Sequence, residues 1–188
     1  MFYRMSFDSR LKHQSLISPI RIGGVDVNES ELIRHQGPIS IAEKVRGEIA
    51  QIGNLNDINF GSHDILICRE PVSKTLKSVD PLELQLIPID ITGETTPFYL
   101  IHLLSIVDCI DRKSSQYTLW TESSFRPELA GEYEMMMKMV IDPEKAGGHK
   151  IFRAKGWEIA IVVHETIKRT LEDAGHSGAT FRLLDRAH

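Results

Sequence analysis

Leu84-Gln85-Leu86-Ile87-Pro88-Ile89-Asp90-Ile91, then the turn Thr92-Gly93-Glu94, then Phe98-Tyr99-Leu100-Ile101-His102-Leu103-Leu104, is the stretch that decides the fold. Two apolar runs rich in β-branched and aromatic residues, joined by a turn that holds a glycine, predict a β-hairpin. Pro88 has no N–H to give to a ladder, which places it on a sheet edge or at a bulge. Ile106-Val107 is expected to continue the same sheet. Tyr117-Thr118-Leu119-Trp120 and the run from Met135 to Ile141 add two further strands.

Toward the C-terminus the pattern sharpens. Lys150 to Arg153 and Trp157 to Val163 read as paired strands around Lys155-Gly156. A helix follows from about His164 to Ala174, with Ile167, Leu171 and Ala174 inward and Gly175 placed to stop it. Ala179 to Leu184 reads as a closing edge strand. Toward the N-terminus, Val72, Leu76 and Val79 at i, i+4 and i+7 predict a short amphipathic helix that Pro81 ends. Asp64 to Cys68 is a brief buried segment, and Asn54 to Gly61 reads as a loop. Residues 39–52 support two readings. Ser40 with Glu43 fits a capping box, and Ile41, Val45, Ile49 and Ile52 recur at helical spacing, but Gly47 weakens a helix and leaves a strand and turn open. Before them, Ser18-Pro19, Gly23-Gly24, Val27-Asn28-Glu29-Ser30 and Gly37-Pro38 mark turns between short strands. Strands with a few intercalated helices and no regular alternation predict one α+β domain over residues 1–188. Its sheet is mainly antiparallel, with a few short helices, one of them near the C-terminus.

Composition narrows the function classes. With 41% hydrophobic and 26% charged residues in 188, the chain can bury a continuous core and is not a disordered tail. A formal charge of −4 excludes a broadly basic nucleic-acid binder. That charge is unevenly spread. No Lys or Arg occurs between Lys77 and Arg112, while Asp80, Glu83, Asp90, Glu94, Asp108 and Asp111 do. Through Glu134 the block adds Glu122, Glu128, Glu132 and Glu134 against Arg112, Lys113 and Arg126, so residues 78–134 hold ten acids and three bases, a net −7. An acidic face attracts a basic partner and repels nucleic acid, whereas isolated surface carboxylates contribute little. Met1 to Asp8 has an acid where an export signal needs apolar residues, and no apolar run approaches the roughly twenty residues of a membrane span. A cytoplasmic location is expected. Cys68 and Cys109 sit in apolar runs without paired spacing and read as buried thiols.

No catalytic, metal or cofactor constellation emerges. His164-Glu165 begins a zinc-protease pattern, but Lys168 stands where the second histidine belongs; a helix start is the better reading. His102, His149, His164 and His176 fit no short ligand spacing. His102 and Cys109, seven positions apart, would point to opposite faces of one extended run, too far apart for a thiol and its base. Gly23-Gly24 and Gly147-Gly148 lack a phosphate-loop lysine and read as turns. The run Met135-Met136-Met137 with Met139 suits either an irregular core or an adaptable binding surface, and core filling is the expectation taken. Asp108 and Asp111 make a poor cation loop. They are expected to accept turn amides, or to pair with Arg153.

These residues carry a resemblance. Pro71-Val72-Ser73, Gln85-Leu86-Ile87-Pro88 and Val107-Asp108-Cys109-Ile110-Asp111-Arg112 with Ser115 come first. Gly131-Glu132-Tyr133, Ile141-Asp142-Pro143 and Ile151-Phe152-Arg153 follow, then Glu165, Ile167, Lys168, Glu172, Gly178 and Phe181. In this order they resemble immunity protein family 11 of bacterial polymorphic toxin systems, most strongly over residues 60–184. His164-Glu165 stands where that family usually has Ser-Glu. The resemblance implies a non-enzymatic protein that binds and neutralises a cognate secreted toxin, often in a contact-dependent or type VI secretion setting. It supplies no catalytic residues, metal or cofactor. Asp108, Asp111, Arg112, Ser115, Phe152 and Arg153 are then expected to hold the fold, while specificity comes from variable surface. Glu94, Glu122, Glu128 and Glu132 are the candidates for the toxin interface. A basic, cytoplasm-acting toxin, a nuclease above all, fits the acidic block. Two other classes compete: a small Cys/His-dependent hydrolase, which needs Cys109 beside a histidine in a pocket, and an accessory or scaffold subunit, which needs a large apolar patch.

Overall fold

Strands that are apolar at every position need cover on both faces, and the chain meets that need with two sheets. The computed structural model describes residues 1–11, 15–51, 53–79 and 82–187. The first strands are β1 (Phe2–Phe7), β2 (Leu16–Ile22), β3 (Val25–Asp26), β4 (Val45–Gln51), β5 (Ile58–Phe60), β6 (Leu66–Arg69), β7 (Leu84–Ile91) and β8 (Phe98–Leu103). After them come β9 (Ile106–Val107), β10 (Gln116–Leu119), β11 (Tyr133–Lys138), β12 (Val140–Ile141), β13 (Ile151–Ala154), β14 (Trp157–His164), β15 (Ala179–Leu183) and β16 (Asp185–Arg186). The helices are α1 (Glu29–Leu32), α2 (Glu70–Val79), α3 (Pro143–Ala146) and α4 (Glu165–Asp173). None is long and apolar enough to cross a membrane.

One sheet has seven strands in the order β3-β2-β4-β7-β8-β6-β5 and the other has five, β15-β1-β14-β13-β9. Pairing is antiparallel except at β4–β7, β9–β13 and β12–β16, so the fold is α+β with mainly antiparallel sheets. Alternation assigns each side chain to a layer. Leu66, Cys68, Ile101 and Leu103 meet Met5, Ile151, Ile161 and Val163 in a central core shared by both sheets. Val72 and Leu76 of α2 and Ile167 and Leu171 of α4 close that core. On the far side of the larger sheet, Ile67, Ile87, Ile89 and Leu100 pack with Ile17, Val45 and Ile33. On the far side of the smaller one, Phe152, Ala154, Ala160 and Val162 pack with Val107, Cys109, Ile141 and Tyr133.

The hairpin forms as expected, with Leu84 opposite Leu103 and Ile89 opposite Phe98. Pro88 lies in an interior strand of the larger sheet, yet the pairing of β7 with β4 starts only at Ile89, so its missing N–H interrupts no ladder bond there. Ile106-Val107 leaves that sheet and pairs with β13 in the other. Asn54 to Gly61 contains a buried strand, β5, as well as loop. Ala174 is exposed and forms the C-cap of α4, with Gly175 behind it at φ 71. Asp80 and Pro81, expected at the end of α2, and Ile52 lie outside the described residues.

Of the two readings for residues 39–52, the strand prevails as β4, Val45–Gln51. A spacing of four satisfies a period of two as well as one of 3.6, so Ile41, Val45 and Ile49 could not separate the readings. Gly47 separates them. A Cβ there would lie 2.7 Å from Ile17 Cγ2 and 3.0 Å from Ile91 Cδ1, a close approach between strands that no larger residue permits. Gly47→Ala is expected to cost about 1–3 kcal/mol of stability by overpacking. Urea denaturation checks this, and an unchanged midpoint would contradict it.

Candidate functional site

Val107 to Ser115 works as a clamp. The Asp111 amide donates to Val140 O at 2.9 Å, and the Asp142 amide donates to Cys109 O at 2.7 Å. Ser115 Oγ donates to Val140 O at 3.3 Å and accepts from Val140 N at 3.0 Å, using both capacities of a hydroxyl on one strand residue. The Asp111 carboxylate accepts the Lys113 amide at 3.0 Å. The Ser114 side chain first, then that amide, hold it below the usual carboxylate range. Asp108 is exposed. Arg112 Nε donates to Tyr133 Oη at 3.0 Å, and the guanidinium lies 5.2 Å from the centre of that ring. The clamp therefore holds the base of a two-stranded ribbon made of β10 and β11.

The second signature segment bolts the two sheets together. Phe152 is fully buried against Phe2, with ring centres 5.9 Å apart. The expected pairing of Arg153 with Asp108 or Asp111 does not form. Arg153, 3% exposed, donates to Glu158 O of the neighbouring β14 at 2.6 Å and reaches out of its own sheet to Asp64 O, just ahead of β6, at 3.0 Å. Its nearby carboxylates are Asp64 and Glu158, and burial pulls its pKa down to about 10, so it stays charged at neutral pH. Alternation explains the outcome: Ile151 and Arg153 face the central core, whereas the clamp lies on the opposite side with Phe152 and Ala154.

The ribbon has two unlike faces. Register shifts follow Tyr133 and Met136, so the inner face collects Tyr117, Leu119, Tyr133 and Met136 against the core. The expectation of core filling holds for Met136 and Met139; Met135 and Met137 are each 54% exposed. In the connecting loop Phe125 is 84% exposed, its ring edge-on to Trp120 at 5.0 Å. The outward turn of Met135 and Met137 was hidden in the sequence because bulges, which have no simple code, reverse the alternation.

The four interface candidates are not brought together. Glu122, Glu128 and Glu132 lie in the ribbon's loop, whereas Glu94 sits in the β7–β8 turn. The other end of that strand pair reaches α1 through the bond from Gly37 N to Leu104 O, and Arg34 just beyond α1 meets the ribbon. An eight-residue strand, about 25 Å, therefore separates Glu94 from that end. Glu94 faces Arg69 at 4.0 Å, Glu128 pairs with Arg126 at 2.5 Å, and Glu132 pairs with Arg34 at 2.9 Å. Glu122 and Glu134 are exposed and form no ion pair among the described residues.

His102, His149, His164 and His176 have separate partners, and the His102 ring lies 5.7 Å from that of His35. His102 Nε2 bonds to Gly37 O, His149 Nδ1 to Glu83, and His176 Nε2 to Thr75, while His164 caps α4 by accepting from Thr166 N at 3.2 Å. Cys109 is fully buried, and burial pushes its thiol up to about 12; Cys68 is pushed up further. A thiol so protonated is a poor nucleophile. Both cysteines are expected to resist iodoacetamide at pH 8 in the folded protein and to react within minutes in denaturant. Rapid labelling of Cys109 without unfolding, followed by mass spectrometry, would contradict this.

The model of the Immunity protein family (Imm11) matches residues 24–185 of the chain's 188. The chain belongs to this family. The match starts well before residue 60, so it takes in α1, β4 and β5 as well as the clamp, the ribbon and Arg153. No curated protein matches the chain. Imm11 membership carries the coarse function: an immunity protein neutralises a cognate toxin by binding it, and its family points to a non-catalytic role.

Proposed function

We propose that this Imm11 protein neutralises a basic toxin domain acting in the cytoplasm, a nuclease above all, by steric and electrostatic blocking. The observation that carries the reading is the surplus of carboxylates on residues 78–134, of which Asp90, Glu94, Asp108, Glu122, Glu128, Glu132 and Glu134 are exposed. A nuclease must present cations to phosphate, and the same cations are drawn to such a field. An inhibitor has to share the compartment of its target, and intracellular nucleic acid sets that compartment. Delivery of the toxin by a contact-dependent or type VI apparatus fits the same scheme. The inhibitor itself then needs no affinity for nucleic acid or membrane.

The test is rescue. The toxin domain encoded by the adjacent reading frame is expressed with and without this protein, and survivors are counted. The association rate of the purified pair is expected to fall about tenfold or more between 50 and 500 mM salt, as steered encounters do. An adjacent toxin domain that is neutral or acidic, or a rate indifferent to salt, removes the electrostatic part of the reading.

A further inference from the structure

We infer that the ribbon of β10, β11 and their connecting loop is the surface that grips the toxin, through an apolar centre and two unpaired carboxylates. The inference rests on the reading of the chain as inhibitor of a basic toxin, and it locates that activity on the molecule. Three observations converge there. The outer side of the strands exposes Met135 and Met137 and the loop exposes Phe125, large apolar side chains that water disfavours and that interfaces favour; methionine adapts its shape to a partner. The inner side is fixed by Tyr117, Leu119, Tyr133 and Met136 in the core and by Arg112 on the Tyr133 hydroxyl, so the ribbon is presented rigidly and little ordering is needed on binding. Neither strand has a second neighbour among the described residues, which leaves two free strand edges.

Charge selects the occupant. Within the ribbon, Glu128 is countered by Arg126, Glu132 by Arg34, and Lys138 by Asp185 at 2.9 Å. Glu122 and Glu134 remain uncountered among the described residues, one in the loop and one beside Met135. The complement of such a surface is a protein with an apolar contact flanked by Lys or Arg. A second copy of this chain would bring its own Glu122 and Glu134 against these, and like charges oppose that pairing.

The experiment uses the full-length protein and the purified toxin domain from the adjacent reading frame. Met135→Ser with Met137→Ser, and Glu122→Lys with Glu134→Lys, are each expected to weaken the Kd about tenfold, and the four changes together at least about 100-fold. All replaced side chains are exposed, so the melting temperature is expected to hold. Glu31→Lys with Asp173→Lys makes the same charge change on other exposed residues, and is expected to hold the Kd within about threefold. Tight binding by the wild type and by the fourfold variant alike would overturn the ribbon as the interface and leave the immunity reading standing. Failure of the wild type to bind or rescue would overturn both. Self-association of the wild type that the fourfold variant abolishes, with toxin binding intact, would assign the ribbon to a homodimer and overturn the inference.

Discussion

Arg153→Ala is expected to lower the unfolding free energy by about 3–5 kcal/mol, the cost of removing one partner from a buried charged network. The side chain spans from β13 to the segment that enters β6, and each of its two bonds ends on a main-chain carbonyl, of Asp64 or of Glu158. Alanine takes the Arg153 donor from both part-buried carbonyls and opens a void beside β13. It also leaves Asp64 with Arg4, at 3.8 Å, as its remaining ion-pair partner among the described residues. For a domain of this size the melting temperature is expected to fall by about 10 °C. Arg153→Met separates the contributions, because it refills the void yet still removes the charge and the two donors, and is expected to keep most of the loss. A melting curve for the alanine variant that overlays the wild type would show that the two sheets are held by their apolar contacts alone.

Gly178→Ala is expected to be at least as damaging. Gly178 has φ +103, where side chains are strained, and a Cβ there would sit 1.9 Å from Ile58 O and 2.8 Å from Asn56 Cβ. The nearest obstacle is backbone, which cannot rotate aside. The flanking bonds, Asp8 N to Gly178 O at 3.1 Å and Ile58 N to Ser177 O at 2.9 Å, join three distant segments, so relief by movement would break them. Strain and overpacking together imply a loss of at least about 3 kcal/mol. The urea midpoint is expected to drop by about 1 M or more. A variant that retains the wild-type midpoint would mean that the 56–58 segment yields more easily than its hydrogen bonds suggest.

The parts of this fold that were legible in the sequence are those where pattern and turn chemistry agree. The β7–β8 hairpin, the β13–β14 pair and α4 with Gly175 behind it all announce themselves that way. β4 was ambiguous because a spacing of four serves both periods, and only the contact of Gly47 with Ile17 and Ile91 removes the ambiguity. β1 gave no strand signal because Tyr3, Arg4 and Ser6 alternate with Phe2 and Met5 without a clean period, although it is an interior strand. Arg153 was recognisable as structural, but its acceptors were not, since main-chain carbonyls leave no trace in residue identity. On the candidate site, the Met run was visible and its outward half was not, because two register shifts turn Met135 and Met137 to solvent.

β1 is flanked by β14 and β15, so residues 2–7 wait for partners at 157–164 and 179–183. The smaller sheet cannot close before those residues are made, and its first strand waits unpaired until then. At about 5–20 residues per second, the ribosome needs roughly 10–40 s to make 188 residues. Wherever the antidote must act at once, a cell therefore depends on molecules already finished and stockpiled, because a message newly engaged by ribosomes offers no shelter until its last strands have been read.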